Sequence, residues 1–169
     1  VLVKGQHWQW GYGPHAPLYT WLMLLFFKVL GSSTFSLNLL RECVLFGVYL
    51  LTFLKTTHLT RSHVCGAAAA VALQFHPAIV WESQRELTHS PVASLMILAT
   101  LYAFLMLRPD KWAGWVVFGI CLGLSLLSKY NAALFCGALL IGVLWGPQVR
   151  KQALCLKMAV ALGVMLAVV

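Results

Sequence analysis

The run Leu37-Asn-Leu-Leu-Arg-Glu-Cys-Val-Leu-Phe-Gly-Val-Tyr-Leu-Leu-Thr-Phe-Leu54 decides the fold class. Its charged side chains are confined to one adjacent pair, Arg41 and Glu42. A helix needs roughly 17–25 mostly apolar residues to cross the ~30 Å hydrocarbon core of a bilayer. Outward from this run, similar ones occupy Val64–Trp81, Pro91–Leu107, Trp112–Ser128 and Asn131–Gly146, and another begins at Met158. Tryptophan and tyrosine gather toward their ends, as interfacial anchors do. Over the whole chain 61% of residues are hydrophobic and 9% charged, against about 25% charged in a typical soluble domain. So few polar groups cannot cover a soluble fold of 169 residues. The bilayer is the remaining solvent, and within it a helix satisfies its own backbone.

The expected fold is therefore all-α, a polytopic transmembrane helical bundle. Residues 37–169 supply the spanning helices, 17–30 a surface helix and 1–16 an outer loop. The chain reads as part of one domain, truncated at both ends: it opens on Val1, and the run from Met158 holds 12 residues, only about 18 Å of helix. Residues 1–17 contain no apolar core of a signal peptide.

Charge sets the orientation. Lys55, Arg61, Arg108, Lys111, Arg150, Lys151 and Lys157 fall on one side, and Lys4, Lys28, Arg41, Arg85 and Lys129 on the other. The richer set is expected to be cytoplasmic. The net charge of +8 is then a matter of topology, and nucleic acid is not an expected partner. Pro17–Leu30 is apolar but only 14 residues long, about 21 Å as a helix and short for a span. It is read as lying along the outer membrane surface, which puts Val1–Ala16 outside with the 81–90 and 128–131 connections. The five cysteines are odd in number, mostly in apolar runs and without metal-ligand spacing, so they read as small packing residues.

Polar residues concentrate in three places. The stretch Trp81-Glu-Ser-Gln-Arg-Glu-Leu-Thr-His89 is the densest. As a helix it would put Glu82, Glu86 and His89 on one face with Arg85 beside them. Ser90-Pro91 then reads as an N-cap followed by proline at the first helical position. That aims a helix N-terminus, suited to an anion such as phosphate, at the outer surface. An ordinary solvated loop with an internal ion pair is the competing reading. The second place is Gln6–Pro17, a loop rich in Trp, Tyr and His, including Tyr12 and His15. Its aromatic rings suit a sugar face, and equally an interfacial belt. The third is Ser128-Lys129-Tyr130-Asn131, where Lys129 either snorkels or holds a phosphate. Glu42 follows Arg41 in an apolar helix, where a local ion pair accounts for it. His76-Pro77 marks a kink. No phosphate-binding glycine loop, dinucleotide turn or nucleophile elbow occurs.

Three stretches in order, Pro17-Leu-Tyr-Thr-Trp-Leu22, Trp81–Ser90 and Gly123-Leu-Ser-Leu-Leu-Ser-Lys-Tyr-Asn131, resemble membrane glycosyltransferases. The family is the dolichyl-phosphate-mannose–protein mannosyltransferase type, glycosyltransferase family 39, with the lipid A aminoarabinose transferases as relatives. The resemblance runs through nearly the whole chain. It implies a GT-C fold with its active site on the periplasmic face of a bacterial inner membrane. It also implies transfer of a sugar from a polyprenyl-phosphate donor to a protein or lipid acceptor. The general-base carboxylate at the end of the first span is then expected upstream of Val1. Where relatives often show an acidic residue, a polar residue and then Pro-Pro-Leu, this chain has Pro14-His15-Ala16-Pro17-Leu18. By position His15 matches a phosphate-binding lysine of some relatives, and His89 matches an aspartate of many. Glu86, three residues earlier, takes the acidic duty in this reading. Glu86 and His89 are thus the expected catalytic residues here, with Tyr12, His15, Glu82, Arg85, Lys129 and Tyr130 binding donor or phosphate. Carboxylates and phosphate suit a hard divalent cation, but nothing fixes one and no cofactor is assigned. A transporter with a Glu82–Glu86–His89 proton relay is the alternative, as is a non-catalytic subunit. Transporters keep ionisable groups near the bilayer midplane in repeated, broken helices. These groups sit at helix ends, and no repeat is visible.

Overall fold

Short polar side chains and one glycine set where the first helices start and stop. The computed structural model describes residues 16–82, 89–108, 111–145 and 156–169, and among them no strand occurs. Helix α1 is Leu18–Leu30, entered from Pro17 and closed by Gly31 at φ 81°, whose N–H donates to the Phe27 carbonyl. A positive φ suits glycine because it has no Cβ to clash. Helix α2 is Thr34–Thr60. Ser33 caps it by accepting from Ser36 N–H at 3.3 Å, and the buried Ser36 hydroxyl donates to Gly31 O at 2.7 Å. These two bonds lock the α1–α2 corner.

Helix α2 ends at Arg61, which takes the left-handed conformation at φ 55°. Ser62 then caps helix α3, His63–Ala72. The hairpin between them is tight. A Cβ on Gly66 would run into Thr57 Oγ1 and the Phe53 carbonyl, while the Phe53 and His63 rings stack with centroids 6.2 Å apart. The expected 64–81 span is interrupted. After α3 come a 3₁₀ turn, Leu73–Phe75, an extended His76 and a π-helical segment, Ala78–Glu82. Pro77 explains the break, because proline drives the residue before it out of the helical region and supplies no N–H. The kink read at His76-Pro77 is there, and the His76 backbone is satisfied locally through Leu73, Ile79 and Val80.

Helix α4 is His89–Leu105, α5 Trp112–Ser128, α6 Ala132–Trp145 and α7 Leu156–Val168. Antiparallel α4 and α5 pack on each other, with the Phe104 and Phe118 rings 5.7 Å apart and a buried Thr100–Ser125 hydroxyl pair at 3.3 Å. α7 runs parallel to α5. A Cβ on Gly119 would strike the Ala161 backbone, and one on Gly123 would fall 2.8 Å from Val168 Cβ. Small residues are what let two helix backbones approach so closely.

Two apolar clusters hold the bundle. One joins Leu18, Tyr19 and Met23 of α1 to Leu37, Leu40 and Val44 of α2, Val92 of α4 and Leu127 of α5. The other joins Trp115, Phe118 and Leu122 of α5 to Cys136 of α6 and to Met158 and Ala161 of α7. Among the described residues α1 packs into the first of these clusters, with Phe26 and Phe27 of its second half partly buried against it. Its second half leaves Leu25, Val29 and Leu30 exposed. Among the described residues α2, at 27 residues, is the helix long and apolar enough to cross a membrane; the other apolar helices are of 10–17 residues. The described fold is all-helical, as expected.

Candidate functional site

Helix α5 finishes in polar residues and delivers Lys129. Ser128 is fully buried and donates to the Ser125 carbonyl at 2.6 Å. The next residue leaves the helix in an extended conformation, φ −162° and ψ 132°. That swing carries the Lys129 side chain across to α4, where Nζ donates to Ser90 Oγ at 3.1 Å. Tyr130 beside it is 58% exposed. The third polar stretch of the sequence thus meets the end of the second. Ser90 lies within the first turn of α4, since the helix opens at His89, and its hydroxyl faces a cation.

Arg41 and Glu42 stand near this end of α2. Both Arg41 Nε and Nη2 donate to Glu42 Oε1, at 3.1 and 2.9 Å, so the local ion pair expected from the sequence exists. Tyr19 of α1 is buried, which pushes its phenol above the ordinary tyrosine pKa, while the nearby Arg41 charge opposes the shift. At the opposite end of the bundle Lys157 Nζ lies 5.1 Å over the Trp112 ring.

Of the expected site residues, Lys129 and Tyr130 are therefore at one pole of the bundle, His89 opens α4 at the same pole, and Glu82 closes the π-helical segment. Tyr12, His15, Arg85 and Glu86 lie outside the described residues. Among the described residues no group of three or more His, Cys, Asp or Glu could hold a metal ion. Cys43, Cys65, Cys121 and Cys136 are free thiols.

The family model described as dolichyl-phosphate-mannose-protein mannosyltransferase matches residues 14–169. The chain belongs to this mannosyltransferase family. Two curated relatives from Rhizobium johnstonii are similar to it. The lipopolysaccharide core galacturonosyltransferase RgtB is 33% identical over 148 residues, which cover 85% of this chain and 30% of the relative. The lipopolysaccharide core galacturonosyltransferase RgtA is 32% identical over 161 residues, covering 94% of this chain and 32% of the relative. The chain thus spans about a third of the length of these two relatives. No solved structure matches it. The match starts just ahead of α1 and takes in the whole Lys129–Ser90 pole, so the polar stretches that carried the resemblance are inside the family's common region.

Proposed function

We propose that this chain is part of a polytopic GT-C glycosyltransferase that moves a sugar from a polyprenyl-phosphate donor onto a lipid or protein acceptor. In this reading the Lys129–Ser90 pole faces the periplasm across a bacterial inner membrane, α1 lies along that surface, and α2 and the shorter helices cross. The observation that carries it is the Lys129 Nζ–Ser90 Oγ contact, 3.1 Å. It brings an ammonium group to the first turn of α4, whose free N–H groups favour negative charge. A cation and a helix N-terminus together suit the phosphate that leaves when the glycosidic bond to the carrier breaks. A carboxylate base would take the proton of the acceptor hydroxyl. Glu86 and His89 are proposed for the acid–base side of that site, and Tyr12, His15, Glu82, Arg85 and Tyr130 for donor binding. The relatives' names favour a lipid-linked glycan as acceptor.

The test is sugar transfer by the purified full-length protein, using a radiolabelled polyprenyl-phosphate sugar and lipopolysaccharide core as acceptor. Labelled core is the expected product. Hydrolysis or transfer from a nucleotide sugar, with none from the polyprenyl donor, would overturn the donor assignment.

A further inference from the structure

Glu42 has more to do than neutralise Arg41. Neighbouring residues on a helix point about 100° apart, so the pair is made by the long Arg41 side chain reaching round. The Arg41 side chain is 19% exposed, whereas that of Glu42 is 55% exposed. Arg41 spends both of its bonds to Glu42 on Oε1, and Oε2 has no partner among the described residues. Beside Glu42 a cavity of about 420 Å³ separates α2 from the 73–82 segment. That volume lies within the range usual for small-molecule sites, about 300–1,000 Å³. Glu42, Tyr49 and Gln74 supply its polar wall, and Phe46, Ile79 and Val80 its apolar one. The Pro77 break creates the space, because an uninterrupted α3 would carry a regular apolar face past α2. An ionisable group within an apolar run is costly to keep and marks a functional site by default.

We infer that this cavity is a subsite for a sugar ring that carries hydroxyl or amino groups but no acid. The carboxylate accepts hydrogen bonds and donates none, so it suits hydroxyls and, more strongly, an ammonium group. Gln74 and Tyr49 both donate and accept, as a polyol needs. The Phe46 ring offers a flat apolar face of the kind that sugars stack on. Glu42 lines the cavity and Arg41 does not, so a uronate or phosphate there would set its own acceptor oxygens against a carboxylate oxygen that has no proton to donate. The subsite rests on the transferase reading for its place in a reaction, as the acceptor-side pocket. Its chemistry stands apart from that reading.

The test uses the full-length protein in nanodiscs and three probes: methyl β-glucoside, methyl β-glucosaminide and methyl β-glucuronide. Saturation-transfer NMR should detect the first two and not the third. Glu42→Gln should raise glucuronide binding relative to glucoside at least about tenfold and remove the advantage of the glucosaminide. Phe46→Trp, which fills the cavity from an exposed position, should abolish the glucoside and glucosaminide signals at unchanged thermal stability, and it serves where Glu42→Gln fails to fold. Equal binding of glucoside and glucuronide by the unmodified protein would overturn the inference. So would the absence of any glycoside signal, the result expected if lipid fills the cavity, or signals unaffected by Phe46→Trp. Intact selectivity without any sugar transfer would remove the transferase reading and leave the subsite. Transfer without selectivity would do the reverse.

Discussion

Glu86 and Lys129 are where the proposed chemistry is most exposed to experiment. Glu86 belongs to the densest polar stretch of the sequence, three residues before His89. Glu86→Gln in the full-length enzyme should lower turnover about a hundredfold, the scale of a lost acid–base or charge-orienting group. Turnover equal to the unmodified protein would remove Glu86 from the proposed acid–base chemistry. Lys129 makes a different demand. If its ammonium group holds donor phosphate, Lys129→Gln should raise KM for the donor more than tenfold, and Lys129→Arg should restore most of it, since the charge is what is needed. A lysine that only snorkels would show neither effect. The polar quartet of residues 128–131, whose role in the site is a proposal, was legible in the sequence because it stands out at the end of an apolar run. The cavity beside Glu42 was not. Tyr49 and Gln74 sit in two different apolar runs, and only the approach of the 73–82 segment to α2 brings them together. Arg41 and Glu42 read alone as an ion pair, and that pair is real but incomplete.

At the level of elements, apolar runs located the helices well and their ends less well. The α5 boundaries, Trp112–Ser128, match the apolar run because charged or polar residues border it on both sides. Helix α2 extends beyond the expected Leu37–Leu54 run to Thr34 and Thr60. Hydropathy falls at Lys55, but nothing stops the backbone there, and the helix continues until Arg61 turns left-handed. The apolar run of residues 64–81 is not one continuous helix, for the opposite reason: its hydropathy is continuous while Pro77 breaks its backbone at the expected kink. Helix contacts were not legible at all, since glycines are common in apolar helices whether or not they touch a neighbour. Gly119 and Gly137 separate the two cases. A Cβ on Gly119 strikes the Ala161 backbone, whereas one on Gly137 meets nothing within 4 Å. Gly119→Ala should therefore force α5 and α7 apart and destabilise by about 1–3 kcal/mol. Gly137→Ala should be neutral or slightly stabilising, by up to about 1 kcal/mol of helix propensity. Thermal melting of both variants in one detergent decides the point, and equal melting temperatures would mean that α5 and α7 do not pack as described.

For the molecule as a whole, the two cation contacts define its poles. Lys129 meets Ser90 where α5 finishes and α4 begins, and Lys157 covers Trp112 where α5 and α7 begin. Among the described residues these two contacts lie at opposite ends of α5. Helix α1 packs into the first of the two apolar clusters. Its buried residues Leu18, Tyr19 and Met23 pack on the starts of α2 and α4 and the finish of α5, whereas a crossing helix would run down the bundle and touch both clusters. Under the proposed reading α1 lies along the membrane, and residues 1–15 and 83–88 are expected on one side of it. Single cysteines introduced at Gln9, Gln84 and Gln148 in a cysteine-free background would report the sides directly. Gln9 and Gln84 should react with a membrane-impermeant maleimide in intact spheroplasts, and Gln148 only after permeabilisation. Labelling of Gln9 and Gln148 from one side, with Gln84 on the other, would make α1 a crossing helix. It would also carry Tyr12 and His15 to the far face from Lys129, and no single donor site could then hold all three.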